Sequence, residues 1–158
     1  MAKAKSAAKS GRRAKQKARA GRRRTAKAAT RATQKFSVSH YREEDFRDGG
    51  LRSHAKYRDL GMSVATNGMV QAHVIRHVRP ADHEGAAKRH YHDVQFQMVY
   101  VLKGWLKTAF DGQGEFTMRE GSCWLQPPRI VHAVQEYSDD CELLEIILPA
   151  DFKTVTLE

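Results

Sequence analysis

The chain is 158 residues long, 41% hydrophobic, and carries a formal charge of +10. That length suits one domain with a modest core. No run approaches the roughly 18 to 20 apolar residues of a membrane span, and the N-terminus has no apolar stretch of a secretory signal, so a cytoplasmic protein is expected.

Residues 1–35 hold 14 of the 28 Lys and Arg and none of the 18 Asp and Glu, and beyond Met1 their only apolar side chain is Ala. Such a segment cannot bury a core and is expected to be a disordered basic tail. It leaves 14 basic against 18 acidic residues in 36–158, so the high charge belongs to the tail and not to the folded body. In composition it resembles the Lys/Ala/Arg arms of DNA-compacting proteins. Three readings stay open for it: a solvated extension, a tether that contacts nucleic acid, or a targeting or partner segment.

Residues 36–68 form a lead-in segment and a first strand, with a short helical turn expected at 41–46 before the Asp48-Gly49-Gly50 break. Beyond them, Asn67-Gly68, Gly85, Gly104, Asp111-Gly112-Gln113-Gly114, Glu120-Gly121, Pro127-Pro128 and Ser138-Asp139-Asp140 separate short runs rich in Val, Ile, Phe, Tyr and Leu. Strands are predicted at 54–60, 69–79, 90–92, 96–103, 105–110, 115–119, 122–126, 131–136 and 142–148. Short strands with a turn about every ten residues define an all-β sandwich or barrel, here over 69–150, with 151–158 as a C-terminal extension. Cys123 and Cys141 are read as reduced, buried thiols at strand starts, since two cysteines without a secretory signal make no disulfide framework.

The chemistry concentrates in one constellation. His90-Tyr91-His92 puts two imidazoles on one face of a strand, Gln97 follows five residues later, and His132 sits in another strand-like stretch between Val131 and Val134. Neutral imidazole is the commonest transition-metal ligand, and an amide oxygen can complete a four-ligand set that is open on one side.

The order His90-x-His92, Gln97, Gly104, then Gly121, Pro127 and His132 resembles the two motifs of the cupin superfamily, closely over 85–136 and in strand rhythm over 69–148. The resemblance implies a cupin barrel (a double-stranded β-helix, or jelly roll) that binds a divalent metal ion, Fe, Mn, Ni or Zn, through His90, His92, Gln97 and His132. It also implies a homodimer. The chain departs from the pattern at Gly85, one residue nearer the first His than usual, at Arg129 in place of a Gly, at Glu136 in place of an Asn, and above all at Gln97, where most members carry Glu. Three imidazoles and an amide leave the full charge on the ion, which favours Lewis-acid chemistry on an oxygen-rich anion. A set of three His and one Gln is also similar to small cupins that act on unsaturated uronates.

The expected function is therefore an enzyme acting on a small oxygenated substrate, a keto/enol acid or sugar-acid-like molecule, by elimination, isomerisation or tautomerisation. A metal-dependent dioxygenase and a non-enzymatic small-molecule sensor remain alternatives. Glu136, which shares strand parity with His132, and Tyr100 are the candidate proton-transfer residues, with Glu145, on another predicted strand of the barrel, either a further acid/base group or an ordinary surface residue, and with Asp151 worth testing. His73 and His77 share one face of their strand, opposite Val70, Ala72, Val74 and Val78; they could line the barrel mouth, but a polar or subunit-facing side is expected.

Overall fold

The structure is a computed structural model that describes residues 33–48, 55–78 and 88–157. The tail up to residue 32 and the expected motif residue Gly85 lie outside the described residues. Within them, alternating apolar and polar runs build ten strands: β1 (Ala55–Asp59), β2 (Gln71–His77), β3 (His90–Asp93), β4 (Phe96–Lys103), β5 (Trp105–Phe110), β6 (Gly114–Arg119), β7 (Cys123–Leu125), β8 (His132–Tyr137), β9 (Glu142–Leu148) and β10 (Lys153–Thr156). A 3-10 turn at Glu43–Asp45 falls where a helical turn is expected, and a four-residue helix α1 (Met62–Ala65) precedes β2.

The strands form two five-stranded antiparallel sheets, ordered β1-β2-β9-β4-β7 and β10-β3-β8-β5-β6. From β2 onward the chain passes back and forth between them, with the β5–β6 hairpin inside one sheet, the path of a jelly roll, so the fold is the expected all-β cupin barrel. Between the sheets lies one core. The first contributes Ile75, Val99, Val101 and Leu143, and the second Leu106, Phe110, Met118, Val134 and Tyr137. Period-2 alternation decides which side chains enter it. On β4, Gln97, Val99 and Val101 are buried while Phe96, Tyr100 and Leu102 are exposed. Fully burying a Leu or Ile such as Leu106 or Ile147 stabilises by roughly 1.5 to 3 kcal/mol.

Three local features set the register. Asp111-Gly112-Gln113 turns β5 into β6 with Gly112 at φ 74°, a conformation Gly adopts without penalty. Gly104, at φ 69° between β4 and β5, leaves no room for a Cβ, which would strike the Ser138 hydroxyl and come within 2.7 Å of Asp140 Oδ1. On β8 a bulge intervenes: Thr108 pairs with Val134 but Lys107 pairs with Glu136, so Gln135 is an extra residue.

Two expectations need correction. Residues 151–158 are not a mere extension, because Lys153–Thr156 form β10 and pair with β3 in the register Thr154 to His92. Of the two cysteines only Cys141 is buried; there burial, helped by the nearby charges of Asp140 and Glu142, pushes its thiol up to about 12. Cys123 is exposed at the start of β7.

Candidate metal centre

His90 and His92 project from the same face of β3, and His90 lies directly opposite His132 in the β3–β8 register. The imidazole centroids are 4.2 Å apart for His90 and His132, 5.1 Å for His90 and His92, and 5.3 Å for His92 and His132. One ring nitrogen from each lies within 4.8 Å of the others. Two flanking strands are thus needed to hold the set: β8 brings the third histidine, and β10 supports the second.

The other ring nitrogens fix the tautomers. His90 Nδ1 lies 2.8 Å from the Lys88 carbonyl and His132 Nδ1 3.1 Å from the Ile130 carbonyl. A carbonyl can only accept, so both Nδ1 atoms carry the proton and the lone pair is left on Nε2. His92 Nδ1 is 2.8 Å from the Thr154 hydroxyl, and the Phe152 ring packs edge-on against it at 5.6 Å. Oriented imidazoles with carbonyl and hydroxyl partners behind them are the second layer that metal-binding histidines ordinarily have. The donor set fits a divalent first-row metal ion.

Gln97 is 1% exposed on the inner face of β4. Its Nε2 donates to Glu145 Oε1 at 2.6 Å, which turns its Oε1 toward Gln126, whose Nε2 donates to it at 3.0 Å. The Gln126 amide also reaches His132 Nε2 at 3.1 Å, so Gln126 links the amide of Gln97 to the histidine cluster. Glu145 Oε2 lies 2.6 Å from His73 Nε2, its cross-strand partner on β2. Burial disfavours the charged form of Glu145, but the hydrogen bond and charge of His73, the charge of His92 and the Gln97 amide hold its carboxyl down to about 2.

Beside the cluster lies a cavity of about 410 Å³ whose walls include His90, His92, His73, Glu145, Tyr57 and Phe152. A smaller interior space of about 40 Å³ is bordered by His132, Gln126, Thr108 and again Glu145. Volumes of a few hundred Å³ hold small ligands.

Neither Glu136 nor Tyr100 is here. Glu136 is directed outward, its side chain 57% exposed and 3.8 Å from Lys107 Nζ, because the Gln135 bulge reverses its parity with His132. Tyr100 is 37% exposed on the outer face of β4, opposite in phase to Gln97. Asp151 is exposed. His73 and His77, expected on a polar side, point inward: His73 lines the cavity, and His77 is 1% exposed with its ring 4.1 Å from that of Tyr137. Ala72 and Val74 on the other face are buried as well, so β2 shows no apolar phase that marks its inner side. Gln126, Thr154 and Phe152 were not anticipated. For Glu145 the signal lay in β9, where Glu-Leu-Leu-Glu-Ile-Ile-Leu sets a carboxylate in phase with Leu143 and Ile147.

An antiparallel two-sheet barrel with a His-x-His pair on one strand and a third His facing it is the metal-site jelly-roll class. A cupin domain model matches residues 76–147, and the barrel described above has the cupin fold. No curated protein matches it. Among solved structures it is similar to KdgF from Halomonas sp., with 15% identity, 70% of this chain and 94% of that one covered, and a TM-score of 0.54. It is similar to the polyketide cyclase RemF from Streptomyces resistomycificus at 15% identity, 77% and 86% coverage, and a TM-score of 0.59. It is also similar to the Bacillus subtilis oxalate decarboxylase, described with Mn(II) centres, at 15% identity and a TM-score of 0.54; 70% of this chain covers 30% of that one. At such identities the likeness is one of fold. No helix among the described residues is long and apolar enough to cross a membrane.

Proposed function

We propose that this cupin is a metal-dependent enzyme that converts a small oxygenated molecule, a keto/enol acid or sugar-acid-like compound, by elimination, isomerisation or tautomerisation. The observation that carries the reading is the set of three imidazoles with ring nitrogens within 4.8 Å of one another, two of which, His90 and His92, line a 410 Å³ cavity. His90, His92 and His132 would hold the ion, His132 Nε2 giving up the Gln126 amide N–H that it accepts in the metal-free form, with Gln97 Oε1 as the fourth donor through the lone pair that Gln126 does not use. A bound divalent Fe, Mn, Ni or Zn supplies polarisation of a carbonyl or hydroxyl oxygen. Mn(II) in the fold-sharing decarboxylase makes Mn a first choice to test.

The chain's own residues do the rest. Lys88 O, Ile130 O and Thr154 Oγ1 keep the imidazoles from rotating. Phe152 and Tyr57 wall the cavity and limit its water. His73, gripped at Nε2 by Glu145, is the cavity group able to take or return a proton at Nδ1. On the outer face, Phe96, Tyr100 and Leu125 are 37%, 37% and 59% exposed, an apolar surface that suits the homodimer the family resemblance implies.

The test is a screen of keto and enol acids against the Mn-, Fe-, Ni- and Zn-loaded full-length protein, with and without oxygen. Turnover that is lost in His132→Ala and needs no oxygen supports the proposal. Oxygen uptake coupled to substrate loss replaces it with the dioxygenase reading. Ligand-dependent melting shifts without turnover for any metal replace it with a binding protein.

A further inference from the structure

We propose that Glu145 supplies the histidine site with the carboxylate charge that position 97 lacks. The inference rests on the metal-site reading above. Relative to the family pattern, in which most members carry Glu at the place of Gln97, this chain has an amide on β4 and a carboxylate on the neighbouring strand β9, and the two are bonded directly at 2.6 Å. Val99 faces Glu145 in the β4–β9 register while Gln97 faces Ile147, so the contact is a diagonal one between residues in phase on the inner face.

Glu145 reaches both spaces beside the cluster: it borders the larger cavity with His90 and His92, and the smaller one with His132. It is not a fourth member of the ligating group, which comprises the three histidines alone among the described His, Cys, Asp and Glu. Its action is through charge. Both carboxylate oxygens are engaged, Oε1 by the Gln97 amide and Oε2 by His73, so the charge is held in one place without direct coordination.

In an effective dielectric of about 20, one unit charge in the layer beside a divalent ion is enough to change its affinity by tenfold or more. A site with Glu145 present therefore behaves as a charged four-residue set, although its fourth ligand candidate is neutral. His73 competes for the same carboxylate, and Tyr57, edge-on to His73 at 5.4 Å, and Asp59, its β1 partner, are the other polar groups packed near it.

The experiment is calorimetric titration of full-length protein, metal-stripped, with Mn²⁺ and separately with Zn²⁺, on the wild type, Glu145→Gln, Gln97→Glu and the double exchange Gln97→Glu/Glu145→Gln. Melting temperatures of the metal-free forms are measured alongside. Glu145→Gln should bind both ions about tenfold or more weakly while keeping a cooperative melt. The double exchange, which returns one carboxylate and one amide to the pair, should bind at least as tightly as the wild type. Gln97→Glu alone places two carboxylates in contact and should lower the metal-free melting temperature. If Glu145→Gln does not fold, the double exchange decides. Binding by Glu145→Gln as tight as wild type, or a folded double exchange as weak as tenfold below it, overturns the proposal and leaves the metal site standing. A wild type that binds neither ion overturns both.

Discussion

The two sheets contribute equally to the core and unequally to the site. The sheet β10-β3-β8-β5-β6 carries all three histidines, each turned by a carbonyl or hydroxyl partner from its own sheet or the residues leading into it. The facing sheet, with the turn that follows β7, carries the hydrogen-bonded series Gln126, Gln97, Glu145 and His73. One wall therefore offers neutral lone pairs and the other an anchored negative charge. A cation between them is held by ligands from one side and by field from the other, and the two contributions can be altered separately.

The largest effect is expected on the histidine wall. His90→Ala or His132→Ala removes a donor and should lower metal affinity by about a hundredfold or more, read as metal content after dialysis, whereas partners one layer out ordinarily cost 10- to 100-fold. Next come paired core truncations that test the equality of the sheets. Leu106→Ala on one and Ile147→Ala on the other, 1% and 0% exposed, should each destabilise by about 2 to 5 kcal/mol in denaturant unfolding. A large imbalance between them would break the comparison. A smaller change is expected from Thr154→Val, which removes the partner of His92 Nδ1 and should weaken metal binding by about tenfold with little loss of stability. The smallest is for Glu136→Ala and Tyr100→Phe, which sit outside the barrel and should leave metal affinity within about twofold of wild type.

Much of this arrangement was readable from residue order. Strands β4, β5 and β9 were predicted at their observed bounds, because each is long, strongly apolar and ended by Gly, Asp or Pro. The histidines were visible because a His-x-His on a strand needs only period 2 to put both rings on one side. What escaped was whatever depends on a neighbour. Glu136 keeps the parity of His132 in the sequence and loses it through one bulge residue, which only the β5 pairing reveals. His73 lies on a strand buried on both faces, where alternation carries no information about which is inner. Strand β10 has four residues with a single aliphatic, Val155, so its existence follows from the open edge of β3 and not from its own pattern. The neutrality of Gln97 is legible from its identity, but the carboxylate it grips belongs to a residue 48 positions away.

The central claim is that three imidazoles on one sheet hold a divalent ion. The most direct measurement is elemental analysis of full-length protein purified without chelator, beside the His90→Ala and His132→Ala variants. The account predicts close to one equivalent of Mn, Fe, Ni or Zn per wild-type chain, retained through dialysis and lost from both variants while they still melt cooperatively. A wild type that carries no metal, and whose melting temperature none of these four ions shifts, would contradict it.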